Sequence, residues 1–303
     1  MTGALKPVVG VLHPGSMGAA IAAQAADAGA TVLWCSAGRS EASRARARAA
    51  GLTEVRTLGE LVERSGVVLS ICPPAHAEDV AEAVASLRFA GIFVECNAIS
   101  PVRVTRIAAR LGLNGTAKAV IDGAVVGSPP RGSKTARLYL AGPMRAVRII
   151  EGLFAGTGVH VKALSADHYG QASALKLSYS AYQKASRALA AVAYGLAEAH
   201  GVGDELLDIA AGRGGSYLSE VDYIPKIAAR AWRWGPEMLE VADALRAKGL
   251  PAEQALAAAE VMARWEADKD QSLAVGEALE HLRKGGAEQR SGGAADEMKR
   301  TTG

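Results

Sequence analysis

Residues 8–29 read VVGVLHPGSMGAAIAAQAADAG, and this stretch decides the fold. Lys6 to Leu12 is a Val-rich strand, His13-Pro14-Gly15-Ser16-Met17-Gly18 is a turn, and Ser16 to Ala28 is an Ala-rich helix ended by Gly29. Strand, glycines and helix in that order form a ready anion site. Gly15 lets the backbone approach a pyrophosphate, Gly18 permits close packing of helix on strand, and the first helical N–H groups point at the phosphates. His13, Pro14, Gly15, Ser16, Met17 and Gly18 are therefore candidate coenzyme-binding residues. His13 stands where the first glycine of G-x-G-x-x-G belongs.

Working outward, short apolar runs alternate with helical stretches. Ala30 to Cys35, Val67 to Ile71, Gly91 to Glu95 and Lys118 to Ile121 read as further strands, bounded by Pro73-Pro74, Pro101 and Gly123. Arg137 to Ala141 and Gly158 to Val161 are weaker strands around a helix from Pro143 to Phe154. Near-continuous apolar strands are buried on both faces, which predicts an α/β fold: a Rossmann-type doubly wound parallel sheet over residues 1–163. A second, all-helical domain is expected over 164–283 and a loose tail over 284–303. Its first helix, Asp167 to His200, places Ala174, Leu177, Ala181, Ala185, Leu189, Val192 and Leu196 at helical spacing. Such a length of apolar face needs several partners, so a homodimer through the helical domain is expected. Helices are also expected at Asp204 to Ala211, Pro225 to Trp234, Pro236 to Lys248 and Pro251 to Ala267, each opened by Pro or Asp.

Composition narrows the function classes. Of 303 residues half are apolar, and 34 basic against 31 acidic side chains leave a net charge of +3 that is scattered along the chain. A phosphate-tracking basic stripe is missing from the sequence, so nucleic acid is not an expected partner. No apolar run reaches the roughly 18 residues of a membrane helix, and the segment after Met1 lacks a basic flank, so neither a membrane location nor export is expected. Cys35, Cys72 and Cys96 are far apart without a C-x-x-C pair, and His76, His160, His168 and His200 lack metal-ligand spacing. A reducing cytoplasm and no metal are the expectation.

The second strand ends Trp34-Cys35-Ser36-Ala37-Gly38-Arg39-Ser40, with no carboxylate before Glu41. NAD-binding domains place Asp or Glu about 20 residues beyond the glycines to accept from the ribose hydroxyls. Here Ser36, Arg39 and Ser40 offer hydroxyls and a guanidinium instead, which favours NADP(H) with its 2′-phosphate over NAD(H). Arg44, Arg46 and Arg48 read as solvated charges on the following helix.

Lys176 lies near the start of the long helix, on a largely apolar face, with Ser173, Tyr179 and Ser180 three or four residues away. Hydride transfer at a carbon bearing oxygen also moves a proton, and a partly desolvated lysine is suited to donate or accept it. Trp232, Trp234 and Met238 read as helix packing, and Cys72 as a packed thiol without a base.

Four segments in register resemble the β-hydroxyacid dehydrogenase superfamily, which includes 6-phosphogluconate and 3-hydroxyisobutyrate dehydrogenases and the related imine reductases. They are the Met17 turn, Glu95 to Pro101 (ECNAISP), Asp122 to Ser128 (DGAVVGS) and Gly170 to Lys176 (GQASALK). Ala231-Trp232-Arg233-Trp234 and Glu237-Met238-Leu239-Glu240 mark a bacterial branch with a distinct C-terminal helical domain. The resemblance implies that Cys72, Pro73 and Pro74 lie where the coenzyme passes. It also implies that Asn97 lies beside nicotinamide and substrate, and that Val126, Gly127 and Ser128 bind a substrate carboxylate through the backbone. Lys176 is the implied catalytic residue, with Ser173, Tyr179 and Ser180 as substrate neighbours. The chain departs from the pattern at His13, Asn97, Ala98, Val126, Ser128, Ser180 and Glu237. The implied activity is an NADP(H)-dependent oxidoreductase acting on a small hydroxy acid or related alcohol or carbonyl compound, the substrate sitting between the two domains. An imine reductase on the same scaffold and a non-catalytic NADP(H) sensor are the alternatives.

Overall fold

A computed structural model describes residues 7–164, 168–212, 215, 217, 220–247, 249 and 252–284. The chain divides into two compact units, up to Leu177 and from Ser178 onward.

The first unit is built on one sheet: β1 (Val9–Val11), β2 (Val32–Cys35), β3 (Thr53–Val55), β4 (Val67–Ser70), β5 (Ile92–Glu95), β6 (Ala119–Gly127), β7 (Ala136–Ala141) and β8 (Val159–Ala163). The order is β3-β2-β1-β4-β5-β6-β7-β8. Every pairing is parallel except β6 with β7, which run antiparallel from Asp122↔Ala141 to Gly127↔Ala136. The doubly wound parallel sheet expected from the apolar runs is present, with one antiparallel hairpin where β6 continues six residues past the expected Ile121. Ala119 to Val126 carries enough β-branched and small residues to extend, and Gly127 ends it with φ of 121°.

The helices of this unit are α1 (Ser16–Asp27), α2 (Glu41–Ala49), α3 (Leu58–Arg64), α4 (Ala77–Ser86), α5 (Pro101–Ala108) and α6 (Met144–Leu153). Local chemistry sets their ends. Ser40, Thr57 and Ser100 cap α2, α3 and α5 by accepting from the backbone N–H three residues on. Strand alternation then divides the core: Val9, Val11, Trp34, Leu69 and Val94 face one layer with Ile21, Val147 and Phe154. Leu33, Val68, Phe93 and Val120 face the other, with Leu61, Val84, Val104 and Ile107. Each fully buried aliphatic or Phe side chain stabilises by about 1.5–3 kcal/mol. Gly10 sits between Val9 and Val11 on the second face, where a Cβ would come within 2.4 Å of Leu61 Cδ2.

The long helix α7 (Gln171–Ala199) begins in the first unit and continues into the second. The second unit adds α8 (Gly203–Ala211), α9 (Ile224–Ala228), α10 (Ala231–Arg246), α11 (Glu253–Ala263) and α12 over 275–284. The expected helices at Pro225 to Trp234 and Pro236 to Lys248 are corrected: the break falls at Ala229-Arg230, and Pro236 lies inside α10. Tertiary packing overrides the proline. The buried face Ala231, Trp234, Met238, Val241 and Ala242 runs straight through it, and Gly235 lies against Met262 and the Ala259 carbonyl of α11. The expected helix from Pro251 begins outside the described residues and is seen as α11. Of the 284–303 tail, only Lys284 lies within them.

Candidate active site

The glycine turn stands at the carboxyl end of β1, flanked in the sheet by β2 and β4. Gly18 is required there, because a Cβ would lie 2.3 Å from the His13 carbonyl oxygen. Gly15 faces open space, with nothing within 4 Å of the position a Cβ would take. That is the room a pyrophosphate needs beside the N-terminus of α1. Pro14 is buried, Met17 is half-buried against the core, and Ser16 is exposed.

Around the turn, Ser36 is buried and Ser40 is committed to capping α2. Arg44 and Arg46 are not the solvated charges expected. Arg46 Nε donates to the Pro14 carbonyl at 3.0 Å, and Arg44 donates to the Ser36 carbonyl and pairs with Glu54. Only Arg48, paired with Glu41, is well exposed. Arg39 and His13 differ: Arg39 Nε and His13 Nδ1 are buried without hydrogen-bond partners. Burial, then Arg39 and His76, holds the His13 pKa down to about 4, so the ring is neutral at pH 7. Orphaned buried donors and an open glycine fit a phosphate-bearing coenzyme.

At the ends of β4, β5 and β6, Ser70 is level with Glu95, and Glu95 with Asp122. Asn97 is buried: its amide donates to Ser70 Oγ at 3.0 Å, its carbonyl accepts from Cys72 N at 2.5 Å, and its own N–H donates to Glu95 Oε1 at 2.8 Å. The Asn97 side chain thus ties β5 to β4. Burial pushes Glu95 up to about 8 and the Cys72 thiol up to about 12, which leaves both protonated at neutral pH and Cys72 unsuited as a nucleophile. Pro73 is exposed, and Pro74 accepts from Arg103 through its carbonyl.

Asp122 organises the opposite side. Its carboxylate accepts from the N–H groups of Gly170, Ala172 and Ser173 and from the Ser173 hydroxyl, at 2.6–3.2 Å. Burial raises its pKa while these bonds oppose the rise. Gly170 has φ of 99° and would place a Cβ 2.7 Å from Pro101, so α7 starts where the two loops leave room. One turn on, Lys176 is half-buried and its Nζ donates to the Val125 carbonyl at 2.9 Å. Val126 is half-buried, and Gly127 and Ser128 are exposed, directly after that carbonyl. Lys176, Ser173 and the Val126–Ser128 segment are therefore brought together.

Farther along α7, Tyr179 is exposed and accepts from Gln183, while Ser180 is buried and accepts from Lys184 Nζ. Lys184 is buried and ion-paired with Glu237 of α10, beside Trp234. Trp234 and Met238 are core residues. Sequence reasoning assigned no role to Asp122, Glu95, Arg46 or Lys184. Lys184 had a signal, a basic residue four places after Ser180 on an apolar face; Arg46 had none.

The chain has relatives in both sequence and fold. Residues 8–98 match the family described as NADP oxidoreductase, coenzyme F420-dependent, and residues 197–265 match a domain of unknown function. An uncharacterized 28.5 kDa protein of Methanothermus fervidus is 28% identical over 178 residues, 59% of this chain and 66% of that protein, so just under two thirds of the relative is spanned. A 3-hydroxyisobutyrate dehydrogenase of Mycobacterium tuberculosis, solved with L-serine, superposes with a TM-score of 0.71 at 21% identity over 92% of this chain and 99% of that one. A reductive aminase of Aspergillus terreus, solved with NADPH and ethyl levulinate, gives 0.53 at 18% identity over 91% and 99%. Over residues 8–98 the chain is thus similar in sequence to an NADP oxidoreductase family. Its fold is that of the β-hydroxyacid dehydrogenases and imine reductases, as its motifs imply. Among the described residues no helix is long and apolar enough to cross a membrane, and no group of three His, Cys, Asp or Glu could hold a metal ion.

Proposed function

We propose that the protein uses NADP(H) to interconvert a small hydroxy acid, or a related alcohol, and its carbonyl partner, with Lys176 as the proton-handling group. The bound nicotinamide supplies or takes up the hydride. The observation that carries the reading is the amine of Lys176, held 2.9 Å from the Val125 carbonyl by a helix that Asp122 anchors. Next to it, Gly127 and Ser128 leave exposed backbone suited to a carboxylate. In the reducing direction the Lys176 ammonium gives its proton to the forming alkoxide; in the oxidising direction the neutral amine takes the proton of the hydroxyl. Ser173 fixes the helix start, and Ser180 accepts from Lys184 while its own hydroxyl proton stays available to donate. Arg39, with an unpartnered buried Nε, supports the choice of NADP(H).

A second reading, reduction of C=N, is favoured by Asn97. The family's Ser-Thr pair is replaced by Asn97-Ala98, and the Asn97 amide is spent on Ser70 and Cys72. Reduced-nicotinamide absorbance with a panel of hydroxy acids, their keto partners and cyclic imines separates the two. Turnover of imines alone selects the second reading, and coenzyme binding with no turnover of any substrate selects a sensor. We also place the protein in the cytoplasm, as a homodimer through the helical domain. Tyr182 and Leu189 on α7, 66% and 57% exposed, support the latter.

A further inference from the structure

His13 occupies a position where the glycine fingerprint has no side chain, and nothing in its backbone asks for either residue: it lies outside the left-handed region. Its carbonyl is fixed by the turn, accepting from Gly15 N at 2.9 Å and filling the space that Gly18 leaves. Its ring feels Arg39, from the loop after β2, and His76, just before α4, so three basic side chains span the carboxyl ends of β2, β1 and β4. The other cations of the β2–α2 segment have partners: Arg44 with Glu54, Arg46 with the Pro14 carbonyl, Arg48 with Glu41. His13 Nδ1 and Arg39 Nε are both buried and both unpartnered, and they do not bond to each other. Buried polar nitrogens left open in pairs are costly to the free protein and are satisfied by a ligand that accepts from both.

We propose that His13 is a specificity-determining binding residue which, together with Arg39, grips a phosphate monoester on the adenosine ribose of the coenzyme. The inference deepens the NADP(H) reading and rests on it. A neutral imidazole suits the role. It supplies one N–H donor to a phosphate oxygen while adding no charge beside Arg39, which carries the cation of the pair. The stem of the turn stays closed by Gly18 whichever residue stands at 13, so the side chain is free to be selected for the ligand.

The test measures dissociation constants by titration calorimetry for NADPH, NADH, 2′,5′-ADP and 5′-ADP, on the full chain and on His13→Gly, which restores the fingerprint glycine. A charge-assisted hydrogen bond lost to solvent predicts roughly tenfold weaker NADPH and 2′,5′-ADP binding, with NADH and 5′-ADP changed by less than about twofold. Unchanged NADPH binding, tighter binding, or equal loss for both coenzymes overturns the role of His13. Wild-type protein that does not favour NADPH over NADH overturns instead the NADP(H) reading itself, and is distinguished because no variant enters that comparison. His13→Ala, which keeps the ordinary turn backbone, gives the same readout if the glycine variant does not fold.

Discussion

Two ends of the same sheet edge handle their polar groups in opposite ways. At β6 the Asp122 carboxylate is saturated by three backbone N–H groups and the Ser173 hydroxyl. At β1 and β2 the His13 and Arg39 nitrogens are buried and unpartnered. The saturated carboxylate ties β6 to the start of α7, and the two open nitrogens have no hydrogen-bond partner among the described residues. The contrast divides the edge: the β6 end positions the amine of Lys176, and the β1–β2 end is the one proposed to receive the coenzyme.

The hardest way to break this division is at Lys176. Lys176→Met lowers kcat by about 10²–10⁴-fold, the usual worth of a positioned proton donor, while the Kd for NADPH, read by calorimetry, stays within about twofold. Unchanged turnover would sink the assignment. Asp122→Ala attacks the saturated end. It strips the cap from α7 and lowers stability by about 2–3 kcal/mol in urea unfolding, and kcat falls with it because Lys176 loses its anchor. A variant as stable as wild type removes Asp122 from its role as anchor. At the open end Arg39→Ala leaves the fold intact, since the Nε has no protein partner to lose. It raises the Kd for NADPH about tenfold and leaves that for NADH nearly unchanged.

A further test lies in the pH dependence of stability. Glu95 binds its proton up to about pH 8 in the folded chain, against 4.5 for an ordinary glutamic acid in water. The folded state therefore holds more protons than the unfolded state between these values, and this group's contribution to stability falls as pH rises through the window. Glu95→Gln, which mimics the protonated acid, flattens that part of the unfolding profile and gains relative to wild type above pH 8. His13 has the opposite slope: its pKa, lowered from 6.5 to about 4, costs stability as pH falls through that range. Urea midpoints at pH 5, 7 and 9 for wild type and Glu95→Gln check the sign.

What the sequence revealed followed its periodicity. The strands of the first unit declare themselves because Val9/Val11, Val67/Leu69 and Ile92/Val94 face one layer and their neighbours the other, leaving near-continuous apolar runs. The glycine turn was legible from its residues, the long helix from its apolar spacing, and Lys176 from its place on that helix together with the family resemblance. Pro236 misled, because the packing of Trp234 and Met238 carries α10 through a residue that normally opens a helix. Long-range polar partners were invisible: nothing local tells that Asp122 reaches Gly170 48 positions away, that Arg46 reaches back to Pro14, or that Lys184 pairs with Glu237. Arg39 was picked out by the missing carboxylate near it, but its unsatisfied nitrogen is a property of the folded edge alone.

The antiparallel pairing of β6 and β7 has an evolutionary corollary. Six rungs, Asp122↔Ala141 through Gly127↔Ala136, rivet both feet of the connection over residues 128–135, which is exposed from Arg131 onward. That connection is free to change in length and sequence between fixed posts, while the Val125 carbonyl that steadies Lys176 stays in place. On the proposed function, exchanging this segment alters the substrate contacts next to Gly127 and Ser128 and leaves the amine of Lys176 in place.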